Sequence, residues 1–78
     1  MSNLDVVLWY AARRNLFSDI SSLLKEYPEI NVNGRDDNEW TALHMASHHG
    51  YVEVVILLLA HSNINVNVKN DLGDTPFF

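Results

Sequence analysis

The tetrapeptide Ile30-Asn31-Val32-Asn33 returns 34 residues later as Ile64-Asn65-Val66-Asn67. The same spacing carries Thr41 onto Thr75, Ala12 onto Ala46, and Leu23-Leu24 onto Leu57-Leu58. Four independent matches in one register mark a tandem structural unit, and a period of roughly 20–50 residues is the signature of stacked repeats. The 78-residue chain is one repeat domain. It holds a first unit at about 3–35, a second at about 36–69, and the start of a third at about 70–78.

Hydrophobic spacing changes along each unit. In the second, Ala42, Leu43, Met45 and Ala46 fill one helical face. Thr41 is placed as N-cap, its hydroxyl accepting a first-turn amide. Gly50 ends that helix, because it accepts the left-handed backbone of a helix exit. Residues 51–60 form a second helix, apolar on most sides, which needs cover on two flanks. Residues 62–74 are rich in Asn, Asp and Gly and read as an extended loop or hairpin. The first unit repeats the plan. Helices are expected over 4–14 and 18–26, with Ser18 as N-cap and Pro28 beyond the end, and a loop over 30–40. Leu16 falls where Gly50 sits, so Asn15 is placed to take the left-handed position. One such unit cannot cover its own apolar faces, so units must stack.

Composition supports a folded but thin domain. Hydrophobic residues make up 47% and charged residues 19%, a balance that favours folding over disorder. A core in a chain of ~70–80 residues supplies only ~3–5 kcal/mol. The sequence has no cysteine, which excludes disulfides and thiolate metal sites. The longest apolar run, residues 54–60, is far shorter than the ~20 residues of a membrane-spanning helix. The stretch 4–8 is broken by Asp5 and lacks a basic front, unlike a signal peptide. An intracellular, cytoplasmic protein is expected. The net charge of −5 disfavours nucleic acid and anionic membrane surfaces, and leaves a basic protein surface as a partner.

These residues resemble the ankyrin repeat. Thr41-Ala42-Leu43-His44-Met45-Ala46 is similar to that family's Thr-Pro-Leu-His-Leu-Ala signature. Gly50-Tyr51-Val52-Glu53-Val54-Val55 and Leu57-Leu58-Leu59 are similar to its Gly-His-x-Glu-Val-Val and triple-leucine segments. Asn70, Gly73, Thr75 and Pro76 match the hairpin and the start of a further repeat. There are departures. Glu39 replaces the hairpin glycine, Ala42 replaces proline, each loop carries one extra residue, and Trp9-Tyr10 stands where Leu-His is expected. The resemblance implies an all-α helix-turn-helix-loop solenoid with short hairpin-like loops. It also implies a protein-binding scaffold without chemistry of its own, whose partners lie against the hairpin tips and the exposed side of each first helix. A rigid preformed surface loses little entropy on binding.

The resemblance and the exposed loop positions together nominate Arg35, Asp37, Asn38, Trp40, His48, His49, Lys69, Asp71, Leu72 and Asp74 as partner-binding residues. Trp40 has two readings: an exposed hot-spot anchor at the hairpin tip, or a ring folded over Leu72 or the neighbouring loop. His48 and His49 are either groove contacts or plain polar residues at a helix C-terminus, where an imidazolium is favourable. The loops are acidic, with Asp36, Asp37, Glu39, Asp71 and Asp74 against Arg35 and Lys69, an edge that steers basic partners if it has a role. Trp9, amid Val6, Leu8 and Tyr10, reads as core. Asn33 and Asn67 read as loop buttresses, at positions that in similar arrays can also be hydroxylated.

His44 and His48 are i,i+4 and could share a metal, but no third ligand has fitting spacing. The resemblance implies instead that the His44 imidazole bonds Thr41 and loop backbone. No metal or cofactor is expected. Nucleophile turns, phosphate loops and paired carboxylates are missing from the sequence, so no enzyme is expected. Phe77 and Phe78 fall where a third unit's first helix begins. Leu43, Val54 and Leu58 are then expected to need cover from a further repeat or from a second copy. A structural repeat segment, the N-terminal part of a longer array, that self-associates or supports binding elsewhere therefore stands beside the scaffold as an alternative function.

Overall fold

A computed structural model describes residues 3–77, so Phe78 and the reading attached to it lie outside the described residues. Four helices follow in order: α1 (Asn3–Arg13), α2 (Phe17–Glu26), α3 (Ala42–His48) and α4 (Val52–Leu59). They form two antiparallel pairs. α1 packs on α2 and α3 on α4, while α1 against α3 and α2 against α4 join the pairs side by side. The shared core is Leu8, Ala11, Ala12 and Ile20 from the first pair with Leu43, Ala46, Val54 and Leu58 from the second. Leu23 and Leu57 each pack half-buried against it, as equivalent positions should.

The turns inside both pairs are built alike. Asn15 has φ 60° and Gly50 φ 71°. Beyond each, an amide reaches back to the inner helix at 2.9 Å, Leu16 N–H to the Ala11 carbonyl and Tyr51 N–H to the Ala46 carbonyl. These are the bonds that close a helix through a left-handed residue, and asparagine tolerates that conformation better than other non-glycine residues. Ser18 is not the N-cap of α2. The helix already starts at Phe17, its N-cap is Leu16, and no side chain caps it. The tight turn at Asn15 delivers the chain into helical geometry too early for Ser18 to act.

The turn bonds also correct the register of the inner helices. Ala11 and Leu16 correspond to Ala46 and Tyr51, a shift of 35 residues rather than 34. Leu8 and Leu43, both fully buried, share that shift. From Ile20 and Val54 onward the 34-residue spacing holds. The extra residue of the first pair therefore lies at Ser18-Asp19, opposite the single Glu53, and lengthens α2 relative to α4. Ala11, not Ala12, is the counterpart of Ala46.

Leu43, Val54 and Leu58 do not lack cover. Each is fully buried between the two pairs. The exposed apolar residues of the second pair are instead Val52, Ile56 and Leu59 on α4, with Val66, Leu72 and Phe77 beyond it. α4 is apolar nearly all round, so burying Val54 and Leu58 leaves its other sides in solvent.

Candidate interaction surface

Two hairpin-like loops project from the same edge, and their hydrogen bonds repeat at 34 residues. Asp36 N–H donates to the Trp40 carbonyl at 2.9 Å and Asn70 N–H to the Asp74 carbonyl at 3.0 Å. The Asp36 carboxylate accepts the amides of Asn38 (2.9 Å) and Trp40 (2.8 Å). Asn70 Oδ1 likewise accepts those of Leu72 (2.9 Å) and Asp74 (3.0 Å). A short side-chain acceptor at the loop start thus folds each tip locally. Glu39 and Gly73 occupy the same corner, at φ 64° and 78°. The loops are tied to each other by Asp71 N–H to the Asn38 carbonyl at 3.0 Å.

Behind the tips, Asn33 spans the two units. Its Nδ2 donates to the Asn63 carbonyl and its Oδ1 accepts from Asn65 N–H, both at 2.8 Å. The Asn31 amide, equivalent to that of Asn65, is accepted at 3.1 Å by the Asp5 carboxylate of α1.

The inner helices hold the tips in place through ring N–H groups. Thr41 caps α3, its Oγ1 accepting His44 N–H at 3.2 Å while His44 Nδ1 accepts Thr41 N–H at 3.2 Å. His44 Nε2 lies 2.9 Å from the Asp74 carbonyl. A carbonyl only accepts, so Nε2 carries the hydrogen and Nδ1 is the acceptor. Both ring nitrogens are therefore engaged, and His44 is buried. In the first unit Trp9 takes this role, and its Nε1–H donates to the Trp40 carbonyl at 3.0 Å. Trp9 is thus the counterpart of His44 in the 35-residue register. It is a half-buried strut to the loop rather than plain core, and Leu8-Trp9, not Trp9-Tyr10, stands in the Leu-His place.

Trp40 is half-buried and lies on the inner helix. Its ring tilts against His44 (5.8 Å between centroids) and meets His48 edge-on (5.3 Å). Leu72 stays 73% exposed, so the ring does not cover it. His48 contacts His49 edge-on (5.2 Å), and His49 stacks on Tyr51 (5.3 Å). Arg35, Asp37, Asn38, Lys69 and Asp71 are exposed along the loop edge, and Asp74 is half-buried there. Arg35 and Glu39 approach to 3.9 Å across one tip.

Of the nominated residues, Asn38, Trp40, His48 and His49 share one face, and Asp71 is tied to Asn38 at the tips. Arg13 and Met45 belong to that face too, lining a concavity of about 340 Å³ with Asn38, Trp40, His48 and His49. Sequence reasoning did not select them. The signal lay in the 35-residue register, which places Arg13 level with His48.

Paired antiparallel helices, stacked side by side with loops turned to one edge, define a helical-repeat module. The sequence matches the family model for ankyrin repeats, three copies, over residues 3–76, and the chain belongs to the ankyrin repeat family. Ankyrin repeats are protein–protein interaction modules. The chain is 36% identical over 76 residues to the serine/threonine-protein kinase VIK of Arabidopsis thaliana, covering 97% of this chain and 17% of that protein. It is 39% identical over 56 residues to ankyrin repeat domain-containing protein 49 of Bos taurus, covering 72% of this chain and 23% of that protein. The chain thus spans less than a quarter of either relative. Among the described residues no helix is long and apolar enough to cross a membrane.

Proposed function

We propose that this chain is a non-catalytic scaffold that captures a partner protein through its loop tips and the inner-helix face behind them. The observation that carries this reading is Trp40. A large aromatic ring is held half-exposed between loop tip and inner helix, braced by His48, while its carbonyl is pinned by Trp9. Preformed aromatic positions of this kind dominate binding energy at protein interfaces. Asp36, Asp37, Glu39, Asp71 and Asp74 outnumber Arg35 and Lys69 along the edge, which suits a partner with a basic surface. Units at 3–35, 36–69 and 70–78 are the divisions this reading assigns.

The test is capture of the partner from the source cell by Trp40→Ala/His48→Ala/His49→Ala against the unaltered chain. Capture should fail for that variant and survive Val52→Ser/Ile56→Ser on the outer helix. Equal capture by all three proteins would discard the surface, provided melting curves show each folded.

A second reading is self-association, favoured by Val66. It is the sequence counterpart of Val32, yet Val32 is fully buried and Val66 is 36% exposed. A second copy seated there would bury it, and sedimentation equilibrium should then show dimers that Val66→Asp abolishes.

A further inference from the structure

The interaction face carries a charge pattern that the acidic edge alone does not suggest. The chain has five Lys and Arg residues against ten acids. Even so, Arg13 from the last turn of α1 and His48 from the last turn of α3 stand at matching places, with His49 just beyond. With Asn38, Trp40 and Met45 they line the 340 Å³ concavity. The face is therefore bipolar, acidic along the loop tips and basic or hydrogen-bond-donating along the inner-helix ends.

Basic residues in a last helical turn have an ordinary explanation, their attraction to the negative end of the helix. That accounts for each residue alone. It does not account for their convergence, from separate helices, on one concavity floored by Trp40 and the nearly buried Met45. Nor does it account for how Arg13 is held. Its guanidinium carbon lies 5.8 Å from the centre of the Trp9 ring. Trp9 is itself fixed by its bond to the Trp40 carbonyl. Stacking on a fixed ring orients the guanidinium plane and leaves its N–H edge free. Among the described residues the one ion pair within 4.0 Å is Arg35–Glu39, so Arg13 makes no such contact with a described carboxylate.

We propose that the concavity between Arg13, Trp40 and His48 receives an anionic side chain of the partner. Arg13 offers paired N–H donors to an oxyanion, and the His48 and His49 rings and the Asn38 amide supply further donor groups. Trp40 and Met45 take the aliphatic stem beside it. A glutamate flanked by apolar residues has this chemistry, and so has a phosphorylated serine. The inference rests on the scaffold reading above and refines its partner. The bound segment turns basic groups to the loop tips and an anion to the helix ends.

Three blocked peptides test it against the full chain by amide and indole NMR titration: acetyl-Leu-Glu-Leu-amide, its glutamine analogue and its phosphoserine analogue. The glutamate peptide should bind up to about fivefold more tightly than the glutamine peptide, the upper yield of one exposed charged pair. The perturbed resonances should be the Trp40 indole and the amides of Arg13, His48 and His49. Arg13→Gln should erase the preference, whereas Arg13→Lys should retain part of it. Phosphoserine binding above glutamate would assign the site to a doubly charged anion, and binding at or below glutamate to a carboxylate.

Equal binding of glutamate and glutamine peptides, perturbation confined to the loop tips, an unaltered preference in Arg13→Gln, or no binding by any peptide would overturn the inference. Loss of capture by the Trp40/His48/His49 variant together with equal peptide binding would remove only the anion site. Intact capture by that variant would remove the surface reading with it.

Discussion

The Trp9 indole donates its Nε1–H to the Trp40 carbonyl at 3.0 Å, doing for the first loop what the His44 Nε2–H does for the second at the Asp74 carbonyl. Two unrelated ring types thus serve one geometric need, a rigid N–H donor reaching from the inner helix to the base of the next loop. Phenylalanine keeps an aromatic ring at position 9 but removes the donor. Trp9→Phe should therefore cost about 1–2 kcal/mol, since the half-buried Trp40 carbonyl loses its side-chain partner. The same change should loosen the Trp40 ring that the proposed surface relies on. Urea denaturation gives the first quantity and Trp40 fluorescence anisotropy the second.

His44 carries more, because it is fully buried and joins three groups at once. His44→Ala removes the acceptor of Thr41 N–H and the donor to Asp74, and leaves a void beside Leu43. A loss of about 2–4 kcal/mol is expected. The whole stability of a domain this small is about 3–5 kcal/mol. The variant should then be partly unfolded at room temperature by circular dichroism. Thr41→Val, which removes the cap hydroxyl and keeps the branched shape of this buried side chain, should cost about 1 kcal/mol. Equal losses for the two variants would show that the bridge to the next loop contributes nothing.

Glu39 sits at φ 64°, where the corresponding corner of the second loop has Gly73 at φ 78°. A left-handed backbone costs a non-glycine residue about 1–2 kcal/mol. The exposed Arg35–Glu39 contact at 3.9 Å returns little of that. Glu39→Gly should stabilise the chain by about 0.5–1 kcal/mol after the greater freedom of glycine in the unfolded state is subtracted. The opposite exchange, Gly73→Ala, meets no atom within 4 Å of the added Cβ, so its cost should be conformational alone. A shift of the urea midpoint in the same direction for both variants would contradict this account.

The loops were the most legible part of the sequence. The identities of 30–33 with 64–67 and of Thr41 with Thr75 set the right 34-residue register there, and that register pairs Asp36 with Asn70 and Glu39 with Gly73 although the residue types differ. The inner helices were misread by one residue because Ala11 and Ala12 are adjacent, and the wrong one gave an identity with Ala46. A helix absorbs an extra residue without any local signal, which is how Ser18-Asp19 passed unnoticed. The equivalence of Trp9 with His44 was hidden for a related reason. What matches there is a donor direction, which a comparison of residue types does not register. On the proposed interaction face, Trp40, His48, His49 and Asn38 were selected from position. Arg13 and Met45 were not, because what joins them to it is the packing of the end of α1 beside α3. The cover expected over Leu43, Val54 and Leu58 failed because two units already enclose them, and the apolar surplus of α4 went to Val52, Ile56 and Leu59 instead.

Asn33 and Asn67 occupy the same place in their loops but do not do the same work. Each backbone amide bonds the asparagine two residues earlier, Asn33 to Asn31 Oδ1 at 3.0 Å and Asn67 to Asn65 Oδ1 at 2.9 Å. Only Asn33 also extends its side chain across to the next unit, to Asn63 and Asn65. Substitution by alanine leaves the backbone bonds alone and isolates that difference. Asn33→Ala should cost about 1–2 kcal/mol, the loss of two side-chain bonds at a half-buried position. Asn67→Ala in the same 78-residue chain should fall within about 0.5 kcal/mol of the unaltered protein. Hydrogen exchange sharpens the comparison, because the Asn65 amide should lose protection in Asn33→Ala and keep it in Asn67→Ala. Equal destabilisation by the two substitutions would mean that the side-chain bridge between units does not contribute to holding them together. Stacking of α1 on α3 and α2 on α4 would then have to supply all of the coupling.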